Sequence, residues 1–269
     1  MKRRVQIFIS DLDGTLFDAG TNHIRPEDLD AVKAWIQSGN SFWAATGRGL
    51  GAKEALKKMG IEPEVMIFSA GTGYQIRNEA PVRIGFIDHD TAEVLLNLLD
   101  QKCIGTDYSP DTGDRSVRYA RQRGILRQKP EEPLAQDPLN LLKRNDVHLL
   151  RVFCRAGSEA EIQKTARVIK AELGSRVLCM HTDAAAIDII PAGCPKWTAE
   201  KAALDALKIS PSECAAIGDQ QADADMIRLS GIGFSMSGAE EEVRKSADYI
   251  TNSVSAAIGI LMEGQPFRK

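Results

Sequence analysis

The segment VQIFISDLDGTL, residues 5–16, constrains the fold of this chain more than any other stretch. Its apolar first half, residues 5–9, predicts a strand that is buried on both faces of a parallel sheet. Asp11 and Asp13 follow directly after this strand. Because open α/β folds bind ligands at the carboxyl ends of their strands, both carboxylates are predicted to project from that edge. Asp is also common in ordinary turns, so this pair by itself does not define a catalytic site.

Composition excludes several broad classes of protein. The chain has 269 residues, with 34 basic and 37 acidic side chains and a net charge of −3. This balance gives no reason to expect a nucleic acid or an acidic membrane as a partner. The five cysteines are scattered without a C-x-x-C pair, which predicts reduced thiols rather than disulfides or a zinc site. No apolar run approaches membrane-spanning length, and Asp11 interrupts the first one too early for a signal peptide, so a cytoplasmic protein is expected.

Predicted strands and helices alternate in the first part of the chain. A helix is predicted over residues 26–38, a strand over 41–45, a second helix near 52–59 and a buried strand over 65–68. This alternation is typical of right-handed βαβ units around a parallel sheet. The pattern returns after Pro191. The elements predicted there are helices at 196–207 and 240–245, a helix through 226–229, and short strands at 215–217, 231–235 and 249–250.

The middle of the chain has a different pattern. Helices are predicted over 91–99 and 158–173, strands over 147–153, 177–180 and 186–190, and residues 105–136 form a long polar segment suited to a functional loop or lid. We therefore predict an α/β fold with a doubly wound, Rossmann-like parallel-sheet core formed by residues 1–83 and 189–269. Residues 84–188 are predicted to form an inserted α+β domain.

Polar residues recur at the carboxyl ends of the predicted core strands. Thr46 follows one strand, Asp219 and Asp223 follow another, and Lys196 begins a helix after a third. These residues converge if the strand ends lie side by side. Clustered carboxylates repel one another unless a cation is bound, and all-oxygen ligand sets suit Mg²⁺. With a hydroxyl donor and a lysine for phosphate oxygens, such a set has the parts needed for phosphoryl transfer to an aspartate.

The motifs in this order resemble a known family. D-L-D-G-T at residues 11–15, T-G-R at 46–48, Lys196 and G-D-x-x-x-D at 218–223 are similar to the four motifs of the haloacid dehalogenase (HAD) superfamily of phosphohydrolases. The insertion between the second and third motifs resembles the type IIB cap of the Cof-like and sucrose-phosphatase-like branches. The flanking segments 69–72 and 187–193 resemble the sucrose-phosphatase-like branch.

The resemblance implies a catalytic role for several motif residues. Asp11 would be the nucleophile that forms an aspartyl-phosphate, and Asp13 would act as general acid and then general base. Thr46 and Lys196 would hold the transferring phosphoryl group. The resemblance also places Gly47 at the substrate.

Arg48 has two interpretations that the sequence leaves open. It would either face the phosphate or substrate, or form a structural salt bridge. The implied Mg²⁺ ligands are the carboxylate of Asp11, the backbone carbonyl of Asp13, and the carboxylates of Asp219 and Asp223, the last directly or through water.

The chain departs from the family pattern at two positions. Ala222 stands where Asn is common, and Ala70-Gly71 stands where Asn-Gly is common in Cof-like members. Both departures concern the surroundings of the site and leave the implied reaction type unchanged.

The expected function is a Mg²⁺-dependent phosphomonoesterase that acts on a small phosphorylated metabolite. A sugar phosphate is the favoured class, and a disaccharide phosphate such as sucrose 6-phosphate is one candidate. The alternatives are a phosphosugar mutase and a non-catalytic sugar-phosphate-binding protein on the same scaffold. The protein is expected to be a monomer or a homodimer.

The inserted domain is expected to select the substrate, because the motifs contact only phosphate and metal. It carries a basic run that forms either a solvated face or a set of contacts with the substrate. The members of this run are Arg115, Arg118, Arg121, Arg123 and Arg127.

Overall fold

The computed structural model of this protein describes residues 5–113, 119–125, 136–144 and 148–263. The chain forms two compact units. One unit ends at Val82 and resumes at Pro195, and the other spans Arg83–Cys194. Among the described residues, no helix combines the length and apolar composition needed to cross a bilayer.

The strands and helices of the described residues are numbered in chain order. The strands are β1 (Ile7–Asp11), β2 (Ser41–Ala45), β3 (Val65–Phe68), β4 (Gly73–Ile76), β5 (Val82–Arg83), β6 (Thr106–Asp111), β7 (Arg151–Ala156), β8 (Val177–Asp183), β9 (Ala186–Pro191), β10 (Cys214–Gly218), β11 (Ile232–Met236) and β12 (Tyr249–Thr251). The helices are α1 (Pro26–Gln37), α2 (Ala52–Lys58), α3 (His89–Gln101), α4 (Glu159–Leu173), α5 (Lys196–Leu207), α6 (Ala224–Leu229), α7 (Glu241–Lys245) and α8 (Val254–Met262).

The first sheet has β1 near its centre. Within the described chain its strand order is β12–β11–β10–β1–β2–β3–β4–β5. The strands from β12 to β3 pair in parallel, and β4 runs antiparallel to β3. The chain winds outward from β1 in both directions, through β2 and β3 on one side and through β10, β11 and β12 on the other. The predicted doubly wound α/β class is confirmed.

The register of the central strands brings their carboxyl ends to one level. Asp11 lies opposite Ala45 in the pair of β1 and β2, and Ser10 lies opposite Ile217 in the pair of β1 and β10. All five residues of β1 are buried, as its dense apolar sequence predicts. The residues that follow β1, β2 and β10 therefore share one edge of the sheet.

The second unit contains a separate antiparallel sheet. Its described strands are arranged in the order β6–β7–β9–β8. Helices α3 and α4 pack against each other, and α4 packs on the sheet. Leu95 and Leu99 of α3, Ile162 and Ile169 of α4, and Val152 of β7 belong to one buried cluster. This arrangement agrees with the predicted α+β character of the insertion.

Three expectations about the middle of the chain need correction. The polar segment 105–136 is not irregular throughout, because Thr106–Asp111 forms β6 and pairs with β7 along its whole length. The strand predicted over 147–153 is found at Arg151–Ala156. The proposed domain boundary between residues 188 and 189 falls inside β9, which pairs with β8 up to Pro191.

Candidate active site

The parallel sheet of the first unit brings residues of the separate motifs together at one edge. Asp11 is the last residue of β1, Thr46 follows β2, and Asp219 follows β10. Asp223 ends a 3₁₀ turn over Gln221–Asp223, and Lys196 is the first residue of α5. These side chains come from distant parts of the sequence, and their convergence is a consequence of strand order.

Lys196 forms a buried bridge between two aspartates. Its Nζ lies 2.6 Å from Asp11 Oδ1 and 2.6 Å from Asp223 Oδ1. All three residues are buried, and Asp11 is 4% exposed. Such a buried charge group is retained only when its members satisfy one another, so the ammonium is fixed beside the Asp11 carboxylate.

The second oxygen of Asp11 is unusual. Asp11 Oδ2 is buried and has no hydrogen-bond partner among the described residues. Asp11, Asp219 and Asp223 each offer a carboxylate oxygen, and these atoms lie within 4.8 Å of one another. An all-oxygen acidic set with an unpartnered buried oxygen fits a small hard cation such as Mg²⁺.

Local hydrogen bonds fix the two carboxylates that follow β10. Thr15 Oγ1 donates to Asp219 Oδ1 at 2.9 Å. Asp223 Oδ2 accepts from the backbone N–H groups of Asp219 at 3.2 Å and Gln220 at 3.1 Å. Because the 3₁₀ turn folds Asp223 back onto the start of its own loop, Oδ1 of Asp223 remains directed at Lys196.

The electrostatics of the cluster follow from burial and crowding. Burial raises the pKa of the Asp11 carboxyl well above its usual value, against the attraction of Lys196. Burial, and then the charge of Asp223, raise the pKa of Asp219 to about 6. Burial by itself lowers the pKa of the Lys196 ammonium, but Asp11 and Asp223 outweigh it and raise that pKa. A bound cation would favour the charged carboxylates, because metal ligands must be deprotonated.

Two glycines allow close approaches at the site. Gly14 has φ +89°, and a Cβ atom there would lie 2.4 Å from Asp219 Oδ2. Gly71 has φ +97°, and a Cβ atom there would lie 2.4 Å from the Cα atom of Lys196. Both positions therefore require glycine for conformation and for space.

Asp13 lies outside the three-carboxylate cluster and pairs with Arg48. Arg48 Nε donates to Asp13 Oδ2 at 2.7 Å, and Arg48 Nη2 donates to Asp13 Oδ1 and also to the carbonyl oxygen of Thr21, the latter at 2.6 Å. The Arg48 guanidinium also lies over the ring of Phe17, 5.1 Å from its centroid. Of the two interpretations of Arg48 left open by the sequence, the structure shows the salt bridge.

Thr46 is fixed between β2 and β3. Its backbone N–H donates to the carbonyl of Ile67 at 3.0 Å, and its hydroxyl oxygen accepts from the backbone N–H of Arg48 at 3.0 Å. The side chain is fully buried. Gly47, between these residues, is partly exposed, so the turn around Thr46 places both residues beside the Asp11 end of β1.

The segment after β3 has a strained backbone. Ser69 and Ala70 have φ values of 50° and 57°, a region that non-glycine residues rarely occupy. The backbone N–H of Ala70 donates to the carbonyl of Thr46 at 3.1 Å. Ala70, one of the two departures from the family pattern, therefore lies next to the turn at Thr46 and Gly47. Ala222, the other, is partly exposed.

The members of the basic run that the structure describes, Arg121 and Arg123, form contacts within the inserted domain. Arg121 and Arg123 both pair with Asp100 near the end of α3. Arg123 also donates to backbone carbonyls in and after that helix, including that of Thr106 at 2.6 Å. Arg123 therefore caps the end of α3, whereas the Arg121 side chain joins the carboxylates of Asp100 and Asp137. Arg115, Arg118 and Arg127 lie outside the described residues.

Sequence reasoning missed two polar residues near the site. Thr15 orients Asp219, as described above. Glu200, one turn after Lys196 on α5, is fully buried, and burial raises the pKa of its carboxyl well above the usual value. The spacing of four residues from Lys196 was the available signal for Glu200, because residues i and i+4 share a helix face.

Comparison with known proteins identifies the family. The model of the haloacid dehalogenase-like hydrolase family matches residues 8–262, so the chain belongs to this family. The match confirms the resemblance drawn from the four motifs and the predicted enzyme class, a HAD-type phosphatase.

Individual relatives are distant. The chain is 24% identical over 246 residues to the HMP-PP phosphatase of Serratia proteamaculans, covering 87% of this chain and 84% of that protein. It is 23% identical over 271 residues to the chloroplastic endoribonuclease YBEY of Arabidopsis thaliana, covering 93% of this chain. The chain spans only 44% of the length of that second relative.

Solved structures show the same fold. A haloacid dehalogenase-like hydrolase from B. subtilis superposes with a TM-score of 0.79 at 18% identity, covering 96% of this chain and 99% of that one. A sugar phosphatase of HAD subclass IIB superposes with a TM-score of 0.74 at 18% identity, covering 96% and 97%. At these identities the likeness concerns the fold alone, and it confirms the predicted core with an inserted cap.

Proposed function

We propose that this protein is a Mg²⁺-dependent phosphomonoesterase that releases inorganic phosphate from a small phosphorylated metabolite, with sugar phosphates as the favoured class. The observation that carries the proposal is the Asp11 side chain. Its Oδ1 is held by the Lys196 ammonium, and its Oδ2 is buried without a hydrogen-bond partner in the described part of the chain. A buried polar atom left unpaired costs free energy, which fits an oxygen reserved for a ligand.

The proposed reaction has two steps at the Asp11 carboxylate. In the first step, an Asp11 oxygen attacks phosphorus, the bond from phosphorus to the alcohol oxygen breaks, and Asp13 gives that oxygen a proton. In the second step, Asp13 takes a proton from a water molecule, which attacks the aspartyl-phosphate. Inorganic phosphate leaves, and the Asp11 carboxylate is restored.

Asp13 must release a hydrogen bond from Arg48 before it can act as general acid and base. Both of its carboxylate oxygens accept hydrogen bonds from Arg48. Proton transfer to an ester oxygen therefore requires one of these bonds to open. Arg48 is anchored independently by Thr21 and Phe17, so it can keep the second bond and orient Asp13 during the transfer.

The remaining groups hold the phosphoryl oxygens. Lys196 offsets negative charge as it develops, and the turn formed by Thr46 and Gly47 supplies hydrogen-bond donors. The proposed Mg²⁺ ligands are Asp11, Asp219 and Asp223, with the Asp13 backbone carbonyl. When bound, the ion would neutralise the clustered carboxylates and polarise the phosphoryl group.

Substrate selection is assigned in this proposal to the second unit. Phe153 on β7 has the guanidinium groups of Arg151 and Arg155 at 5.8 and 5.9 Å from its ring centroid. Arg151 is paired with Asp188 and Arg155 with Asp183, so the proposed contact is stacking of a sugar ring on Phe153. A disaccharide phosphate is one candidate within this class. We further propose that the protein is cytoplasmic and a monomer or homodimer, and its charge balance gives no reason to expect a nucleic-acid or membrane partner.

A phosphate-release screen tests the proposal. The metal-stripped protein is incubated with a panel of sugar phosphates, with Mg²⁺ or with EDTA, and free phosphate and sugar isomers are both measured. We expect free phosphate only with Mg²⁺. An isomerised sugar phosphate without free phosphate would support the mutase instead. Binding without either product would support the non-catalytic alternative.

A further inference from the structure

We propose that Glu200 is a positioning residue that holds the Lys196 side chain during turnover, an inference that rests on the phosphatase function proposed above. Glu200 lies four residues after Lys196 on α5, so the two side chains share a helix face. Glu200 is 0% exposed. Neither of its carboxyl oxygens has a hydrogen-bond partner among the residues the structure describes.

An unpartnered carboxyl group in this position lowers the stability of the fold. A buried polar group without a hydrogen bond costs free energy, and an apolar side chain of similar volume would remove that cost. The helix itself does not need an acid there, because α5 packs on β3, β4 and α6 through its apolar residues. A residue that weakens the fold is expected where it contributes to function.

Lys196 can bond to one further acceptor, because its ammonium has three N–H donors and Asp11 and Asp223 accept from it at two oxygens. It is the first residue of α5, where the partial positive charge of the helix N-terminus disfavours an ammonium group. Burial also disfavours its charge, and Asp11 and Asp223 are the groups that outweigh burial and raise its pKa. The charge of Lys196 opposes the rise in the pKa of Glu200 that burial causes, and the charge of Asp223 adds to that rise. Glu200 offers oxygen acceptors to the ammonium in either protonation state.

Both residues that bond directly to Lys196 have a further role in the proposed reaction. Asp11 becomes an acyl phosphate when it carries the phosphoryl group, and the charge of its carboxylate is then lost. Asp223 is a proposed ligand of the metal. Glu200 is outside the three-carboxylate cluster found among the described residues. It is therefore the acidic side chain near Lys196 that stays unchanged through both steps.

The first arm of the test measures the coupling between the two residues without using activity. Glu200→Leu, Lys196→Met and the double variant form a cycle in urea unfolding. The chain has three tryptophans, Trp35, Trp43 and Trp197, and all lie in the first unit. Their fluorescence therefore follows the unfolding of the unit that contains the site. We expect Glu200→Leu to stabilise the protein more in the Lys196→Met background than in the wild-type background. The expected difference between the two effects is about tenfold in the unfolding equilibrium constant.

The second arm measures turnover of p-nitrophenyl phosphate with Mg²⁺. We expect Glu200→Leu to lower kcat about tenfold or more with a much smaller change in KM, because the lysine is displaced but the phosphate site remains. Glu200→Gln keeps an oxygen acceptor and should recover most of the lost rate. Asp205→Leu, at an exposed position on the same helix, is the matched control and should behave like the wild type.

The outcomes separate this inference from the phosphatase proposal. Additive effects in the unfolding cycle, or a Glu200→Leu protein that folds and retains wild-type kcat, would overturn the positioning role. If Glu200→Leu fails to fold, Glu200→Met, whose flexible apolar side chain offers no oxygen acceptor, replaces it in both arms, and a folded Glu200→Met protein with wild-type kcat would overturn the positioning role. A wild-type protein without phosphatase activity would refute the proposed function, and the unfolding cycle would still decide whether Glu200 acts on Lys196.

Discussion

Asp11 and Asp13 lie two residues apart and have different surroundings. Asp11 is buried beside Lys196, and Asp13 is partly exposed beside Arg48. A carboxylate fixed by a lysine at one oxygen suits a nucleophile with a constant direction of attack. A carboxylate at the edge of the site, held by a side chain that can exchange hydrogen bonds, suits proton transfer. The two environments therefore support two roles for the same residue type.

At the residue scale, the close contact of Gly71 with the start of α5 is expected to fix the position of Lys196. A Cβ atom at Gly71 would lie 2.4 Å from the Cα atom of Lys196 and 2.7 Å from the carbonyl oxygen of Pro195. Gly71→Ala should therefore displace the start of α5. We expect a loss of more than about 2 kcal/mol in the free energy of unfolding and a large fall in kcat. Urea unfolding and phosphate release measure the two effects.

Gly39→Ala is the matched control for this substitution. Gly39 also has a positive φ, +83°, but a Cβ atom there would meet nothing within 4 Å. Its expected cost is only the conformational one, about 1 kcal/mol, with kcat unchanged. Equal losses in the two variants would show that backbone conformation, and not the close approach to Lys196, accounts for the effect at Gly71.

At the element scale, β7 carries the groups proposed to recognise the substrate. Alternate residues of this strand face opposite sides of the sheet. Val152 and Cys154 belong to the buried cluster, and Arg151, Phe153 and Arg155 are partly exposed. This alternation places the Phe153 ring on the side of the sheet away from the cluster. The two guanidinium groups there are already paired, Arg151 with Asp188 and Arg155 with Asp183, so the ring is the group proposed to contact a ligand.

Phe153→Ala tests this assignment. We expect kcat/KM for the preferred sugar phosphate to fall about tenfold, because a stacking surface worth ~1.4 kcal/mol is removed. The value for p-nitrophenyl phosphate should change less than about twofold, since the small ester depends on the core motifs. Phe86→Ala, which removes a ring that is 52% exposed in the same unit, is the control. Equal losses on both substrates, or none on either, would contradict the role of β7.

At the scale of the whole molecule, the sequence predicts the core better than the insertion. The strands β1, β2 and β3 are dense in apolar residues, and their predicted bounds agree with those in the structure to within two residues. By contrast, β6 has the sequence TDYSPD, in which polar residues and a proline hide a strand at the edge of its sheet. The short strands β4 and β5 and the helix α8 were also missed. Their stability depends on neighbours that lie far away in the sequence.

The same distinction applies to the site. Asp11, Asp219 and Asp223 could be grouped because they follow core strands, and parallel sheets bring strand ends together. Lys196 was grouped with them as following a third core strand, but the strand before it, β9, belongs to the sheet of the second unit, and Lys196 reaches the site as the first residue of α5. The pairing of Asp13 with Arg48 could be stated only as one of two alternatives, because it depends on side-chain direction. The burial of Glu200 could not be predicted, since a glutamate in a helix is usually solvated.

The most direct test of the whole account is phosphate release by Asp11→Asn. The amide has nearly the volume of the carboxylate but cannot act as the nucleophile. The account predicts a fall in kcat of at least about a thousandfold with Mg²⁺ present. It also predicts cooperative unfolding by tryptophan fluorescence, and mass spectrometry confirms that the asparagine is intact. Turnover within about tenfold of the wild type, in a protein with unchanged unfolding, would contradict phosphoryl transfer to Asp11.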